Sequence, residues 1–215
     1  YLDYIAEHVE PWSYLKFPYY KKLGYPQGVY RVGPLGRLNA IDQIDTPLAN
    51  AEFQRFKALN QGMPVENTLH YHYARLIETL FAAERARVLL EDPDILSTDI
   101  LNTHQEPHEQ GIGVIEAPRG TLIHHYWINS YGQINKANLI VATGHNNYAM
   151  SKAVDDVAKT YVHGPDISEG MLNRVEHAIR AHDPCLSCST HAVGSMPMEV
   201  SIYDPHGNLL RVIKR

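Results

Sequence analysis

Pro184 fixes its own φ and bars the helix before it from continuing, so Cys185 and Cys188, the only two cysteines in 215 residues, must be presented from a turn. Two thiolates separated by two residues can bind one soft ion together. Taken alone, Cys185-Leu186-Ser187-Cys188 fits a redox dithiol or half of a zinc knuckle equally well. Zinc takes about four ligands, and with no second cysteine pair a structural zinc site would have to recruit histidines from elsewhere in the chain. His191 stands three residues after Cys188 and joins the two cysteines as a candidate ligand.

Composition sets the class without naming a function. A chain that is 44% hydrophobic and 20% charged is ordinary for a globular protein, and 215 residues suffice for one sizeable core. The formal charge is 19 − 24 = −5, which leaves no basic footprint for nucleic acid and no polybasic membrane patch. No apolar run reaches the roughly 18 residues of a membrane span, and with only two cysteines the expected setting is a reducing one, the cytoplasm. The chain opens at Tyr1-Leu2-Asp3 without an initiator methionine and reads as a fragment or a processed piece. Most of its 13 histidines and 14 tyrosines are expected to be structural.

The element pattern predicts an α+β fold, mainly helical, with a small antiparallel sheet. Residues 1–47 alternate aromatics with Pro and Gly and predict packed loop with short strands; Val29 to Asn39 reads as a strand entering a turn. Thr46 and Pro47 look like the N-cap and first position of a helix reaching about Leu59. Leu69, Tyr73, Leu76, Ile77, Leu80 and Phe81 then trace a helical stripe extending to about Leu90, with His70, His72, Arg75 and Glu78 beside it. Polar residues 91–110 read as loop. Three antiparallel strands are expected over Gly113–Gly120, Thr121–Ile128 and Asn138–Thr143. Helices should follow over 147–162, with Met150, Val154, Val157, Ala158 and Tyr161 inward, and from Ser168 as N-cap to Ala181, with Met171, Leu172, Val175, Ala178 and Ile179 inward. A hairpin over Val200–Ile213, turning at Asp204–Asn208, completes the chain.

Read as a whole, Asp183-Pro184-Cys185-x-x-Cys188-x-x-His191 resembles the C-terminal signature of the large subunit of nickel-iron hydrogenases. Glu116-Ala117-Pro118-Arg119-Gly120 is a second resemblance, with His124 four residues on. The frame Val141-Ala142-Thr143-Gly144-His145-Asn146 is similar to a V-P-[ST]-T-x-N segment of that family, with Ala142 replacing the proline and Gly144 the second hydroxyl residue. Arg31-Val32-Gly33-Pro34-Leu35-x-Arg37-Leu38-Asn39 and His72-x-Ala74-Arg75-x-x-Glu78 resemble segments of its cytoplasmic branch.

The resemblance implies a function and a division of roles. Cys185 would be a terminal nickel ligand able to accept a proton, Cys188 would bridge nickel and iron, and His191 would serve a separate magnesium or iron site. Pro118, Arg119 and Thr143 would lie near the CO and CN ligands of the iron, with Asp183 orienting the Arg119 guanidinium in a bidentate pair. Heterolytic splitting of dihydrogen needs a soft electrophile for the hydride and a base for the proton, which this set would provide. Residues 1–191 would be the C-terminal part of the large subunit, and residues 192–215 a maturation peptide cut after His191. Implied partners are the N-terminal half of the large subunit, which carries a further cysteine pair, an iron-sulfur small subunit, electron-acceptor subunits, a maturation endopeptidase and nickel-insertion proteins. The competing readings are a non-catalytic homologue of the kind found in respiratory complex I and a zinc or thiol-redox module.

Overall fold

Pro47 opens helix α2, Pro47–Ala58, which packs on α3, His70–Leu90; the short α1, Pro34–Ala40, packs on α3 as well. Leu35 and Leu38 of α1, Phe53 and Phe56 of α2, and Tyr71, Ala74 and Ile77 of α3 form one buried cluster, joined by Val65 and Ala181. Burying each Phe or Leu of this kind contributes roughly 1.5–3 kcal/mol. The protein, seen here in a computed structural model, is described over residues 1–101, 108–164, 166–186, 188 and 199–214.

Three expectations are corrected here. Val29 to Asn39 is not a strand running into a turn: Val29 makes a lone bridge to Tyr19, and from Pro34 the chain is helix α1. Gly33 precedes it with φ 88°, and Pro34 at the first helical position loses no hydrogen bond. In α3 the buried residues are Tyr71, Ala74 and Ile77, and Tyr73, Leu80 and Phe81 of the expected stripe pack partly buried against the same core, whereas Leu69 and Leu76 are exposed. The apolar residues of α3 span more than one face, and the Tyr71 hydroxyl, donating to the Val32 carbonyl at 2.9 Å, turns the core face toward α1. The strand expected to reach Thr143 stops at Ile140, and Ala142–Asn146 is a buried 3-10 turn.

Thr46 makes no side-chain cap on α2. Glu84 of α3 takes that role, accepting from Leu48 N at 3.0 Å and Ala49 N at 2.9 Å. Desolvation raises the Glu84 pKa, but these donors outweigh it and the net shift is downward.

Among the described residues the strands form three separate antiparallel sheets. An N-terminal hairpin pairs β1, Ile5–Val9, with β2, Lys16–Tyr20. The central sheet has the order β3, Gln110–Ala117, β4, Gly120–Ile128, and β5, Ile134–Ile140. The C-terminal hairpin pairs β6, Glu199–Tyr203, with β7, Leu209–Lys214. Its turn follows the expected chemistry: Asp204 Oδ1 accepts from His206 N and Asn208 N at 2.8 Å each, and Gly207 supplies a positive φ.

Helices α4, Asn147–Tyr161, and α5, Glu169–Ala181, pack on each other. Met150 of α4 and Leu172, Ala178 and Ala181 of α5 are buried; Tyr161, expected to face inward, is exposed at the end of α4, where its ring lies under the Arg174 guanidinium at 4.3 Å. Ser168 caps α5 by accepting from Met171 N at 3.4 Å. At the other end of α5, Ala181 enters the main core and its carbonyl accepts from Arg75 Nη2 at 3.1 Å. No described helix is long and apolar enough to cross a membrane.

Candidate metal centre

Helix α5 ends in a reversal. Asp183 has φ 50°, in the left-handed region that Asp tolerates better than most residues, and Pro184 follows. His182 before it is buried with its ring 4.7 Å from that of Tyr71, so the root of the turn is anchored in the core. Desolvation by burial lowers the His182 pKa to about 4, with Arg31 and Arg75 adding to the effect, and the ring is neutral at neutral pH.

Arg119 meets this turn from the two-residue loop Pro118-Arg119 that joins β3 to β4. Its Nε donates to the Asp183 carbonyl oxygen at 2.6 Å and lies 3.3 Å from Asp183 Oδ2. The contact therefore runs through one nitrogen and engages the backbone as well as the carboxylate, instead of the bidentate fork expected. Both side chains are nearly half exposed, 42% and 47%, and an ion pair so open to solvent contributes at most about 1 kcal/mol. The ion pair adds little to the placement of Arg119, which rests on the hydrogen bond to the Asp183 carbonyl and on how its own backbone is held.

That backbone is gripped from two sides. Gly33 abuts Arg119 so closely that a Cβ on it would stand 2.8 Å from the Arg119 carbonyl oxygen. Gly120 has φ 137°, and a Cβ there would lie 2.9 Å from Val32 Cβ. On the other side Arg37 of α1 donates from Nη1 to the Ala117 carbonyl at 2.8 Å and from Nη2 to the Pro118 carbonyl at 3.0 Å. The same guanidinium meets Glu78 of α3 through Nε and Nη2 at 2.7 Å each, and Glu116 through Nη1 at 2.9 Å. Desolvation lowers the Arg37 pKa, but the hydrogen bonds and charges of Glu78 and Glu116 outweigh it and the net shift is upward.

Thr143 approaches the cysteines from the buried turn after β5. Its Oγ1 accepts from the Cys185 backbone N–H at 3.3 Å. Buried polar groups hold the turn: Asn146 Oδ1 accepts from Val32 N at 2.9 Å, and Asn147 Nδ2 donates to the Lys16 carbonyl at 2.9 Å. His145 Nδ1 lies 2.7 Å from the Tyr30 hydroxyl. Burial lowers the His145 pKa to about 4 and raises that of Tyr30, so a protonated phenol and a neutral imidazole share this hydrogen bond.

Cys185 and Cys188 lie with Cα atoms 5.4 Å apart and their sulfurs joined as a disulfide. Reduced to thiolates, the same two atoms stand close enough to bind one soft metal, and their donor chemistry fits nickel or low-spin iron. No group of three or more His, Cys, Asp or Glu side chains fit to hold a metal occurs among the described residues, so this pair would supply half of a four-ligand shell. His191, the third expected ligand, lies outside the described residues. Arg119 thus meets Asp183, and Thr143 meets Cys185, which is joined to Cys188; the main chain from Asp183 to Cys185 links the two sets, and Pro118 enters through the carbonyl held by Arg37.

Sequence reasoning missed Arg37. It stands in a family-like motif between the core residues Leu35 and Leu38, but its partners are 41 and 79 to 81 residues away, beyond any local spacing rule. Glu78 reads from sequence as a flank of the α3 stripe and as the last residue of the family-like His72-x-Ala74-Arg75-x-x-Glu78 segment, but its partner Arg37 lies 41 residues away.

Comparison with known proteins places this arrangement. The family profile described as nickel-dependent hydrogenase matches residues 2–191. The NAD-reducing hydrogenase HoxS subunit beta of Cupriavidus necator is 50% identical over 214 residues, covering 98% of this chain and 44% of that protein. An F420-non-reducing hydrogenase subunit of Methanothermobacter thermautotrophicus is 45% identical over 218 residues, covering 99% of this chain and 46% of that protein. A crystal structure of an NAD+-reducing [NiFe]-hydrogenase in the H2-reduced state superposes with a TM-score of 0.83 at 49% identity, over 89% of this chain and 42% of that one. The chain thus spans less than half the length of these relatives. From the match over residues 2–191 and the identities of 45–50%, the chain belongs to the nickel-dependent hydrogenase family.

Proposed function

We propose that this chain is part of the catalytic subunit of a nickel-iron hydrogenase, working in the reversible heterolytic cleavage of dihydrogen into protons and electrons. The observation that carries the reading is the convergence of Arg119 on Asp183, which directly follows the buried His182 and stands two residues before Cys185, the first of the thiolate pair. When bound, a nickel-iron centre would supply the soft electrophile that polarises dihydrogen. Cys185 and Cys188 would hold it, with CO and CN on the iron.

The remaining chemistry belongs to the chain. Cys185 Sγ, once a thiolate, is the proton acceptor of the described set. Asp183 holds Nε of Arg119, and the Nη groups of that guanidinium would donate toward the ligands of the centre. Thr143 pins the Cys185 amide and so fixes where its sulfur stands. His191 would serve a separate magnesium or iron site.

The chain would act within an assembly: the N-terminal half of the large subunit supplying two further cysteines, an iron-sulfur small subunit, electron-acceptor subunits, and in the cytoplasm a maturation endopeptidase with nickel-insertion proteins. Residues 192–215 would be the peptide removed after His191. The relatives carry names of subunits of larger hydrogenases, which supports the multi-subunit reading. The test is metal analysis of the chain co-produced with a fragment bearing the missing cysteines, the small subunit and the maturation proteins. Nickel with iron is expected, and Cys188→Ser should abolish both nickel retention and dihydrogen oxidation. Zinc in its place, or no metal with full assembly, overturns the reading in favour of a zinc or thiol-redox module or a non-catalytic homologue.

A further inference from the structure

We propose that Arg37 is a positioning residue of this site: clamped on Glu78, it holds the two peptide carbonyls that precede Arg119 and thereby sets where the Arg119 guanidinium meets Asp183, two residues before Cys185. The inference rests on the site reading given above.

Arg37 is the point where three elements meet. Its Nε and Nη2 form a fork on both oxygens of Glu78 at 2.7 Å, with the two side chains only 23% and 24% exposed. A fork of this kind fixes the guanidinium plane as well as its position. Its remaining donors then point in directions set by helices α1 and α3, and they fall on Ala117 and Pro118 at 2.8 and 3.0 Å. Holding two successive carbonyls fixes two successive peptide planes, and the Arg119 Cα hangs from the second. Gly33, four residues before Arg37 on the same segment, meets the carbonyl on the far side of Arg119. Residue 119 is therefore held before and after its Cα by a single stretch of chain, Gly33 to Arg37.

The grip matters because, among the described residues and besides one hydrogen bond from Nε to the Asp183 carbonyl, only a solvent-open ion pair holds the Arg119 side chain. An ion pair with both partners nearly half exposed is too weak to hold a long side chain against its rotamer entropy. Lysine at 37 would keep the charge and lose the geometry, since an ammonium cannot span the Glu78 fork and two carbonyls at once.

The test uses the assembled, metal-loaded complex and three variants: Arg37→Lys, Arg119→Lys and the double variant. One readout is independent of turnover: the rate at which phenylglyoxal modifies Arg119, followed by peptide mass mapping. In Arg37→Lys that rate should rise severalfold with nickel content unchanged. Turnover should fall about tenfold to a hundredfold with KM little changed, the cost of misplacing a group by about an ångström. The double variant should be no slower than Arg119→Lys, because Arg37 acts only through Arg119. Losses that multiply in the double variant, or a native Arg119 labelling rate in Arg37→Lys, would overturn the proposal. Glu78→Gln, which weakens the fork while keeping its shape, should reproduce the labelling change at smaller amplitude. If neither Arg37→Lys nor Glu78→Gln yields an assembled complex, Arg37 is a structural staple and the proposal fails. Full activity in Arg119→Lys would instead sink the site reading itself, whatever the Arg37 variants do.

Discussion

Gly33 and Arg119 touch backbone to backbone: at φ 88° Gly33 turns its Cα toward the Arg119 carbonyl, and a Cβ would reach to 2.8 Å of that oxygen and 3.2 Å of its carbon. Gly33→Ala combines a positive-φ, extended backbone that is essentially confined to glycine, costing about 1–3 kcal/mol, with a clash against main chain, which cannot swing away as a side chain can. The expected outcome is a lowered unfolding midpoint together with loss of turnover in the assembled enzyme. Urea unfolding and dihydrogen-dependent dye reduction measure the two, and an alanine variant native in both would mean that the segment shifts without consequence.

Thr143→Val removes one acceptor and keeps the shape. The Cys185 N–H then loses its 3.3 Å partner, a change worth about 1 kcal/mol for a single neutral hydrogen bond. Nickel retention after challenge with a chelator should drop in Thr143→Val and recover in Thr143→Ser. Equal retention in all three proteins would show that the Cys185 amide needs no such anchor.

His145 and His182 make stability pH-dependent. Both have folded pKa values lowered to about 4 from the ordinary 6.5, so the unfolded chain binds more protons than the folded one between those limits. Their contribution is fully present above about pH 6.5 and is lost as the pH falls toward 4, with a slope of about 1.4 kcal/mol per pH unit for each group in mid-window. Urea unfolding at pH 7 and pH 5 should show this loss, and His145→Gln should reduce the slope by one proton. A slope that is unchanged in the variant would mean that His145 is charged in the folded protein.

If residues 192–215 are a maturation peptide, the species in active, nickel-loaded enzyme should end at His191 by intact mass. Active protein still carrying the Asp204–Asn208 turn would make the β6–β7 hairpin a permanent part of the subunit.

Helix boundaries were legible where they are written in local chemistry: Pro47 starts α2, Ser168 caps α5, and Pro184 ends the run that delivers Cys185. The central sheet and the last hairpin were legible from alternation and from turn residues at Gly132 and Asp204. Helix α1 was not, because Pro34-Leu35-Gly36 looks like a turn and only the burial of Leu35 and Leu38 makes it a helix. The stripe of α3 was legible in part: Ile77 is buried and Tyr73, Leu80 and Phe81 pack on the core, but Tyr71 and Ala74 take the innermost places while Leu69 and Leu76 are exposed. The roles of Arg37 and of the polar turn at Thr143 to Asn147 depend on partners scores of residues away, which periodicity does not record.

The order of the elements along the chain has a consequence for how the protein is made. A ribosome releases Arg37, then Glu78, then the Ala117-Pro118-Arg119 segment, and only afterwards Asp183 and the cysteines. Domains assemble as their parts emerge, so the α1–α3 cradle can be waiting when the arginine loop appears. Among the described residues around the centre the thiolates emerge last, after every group that holds the Arg119 loop.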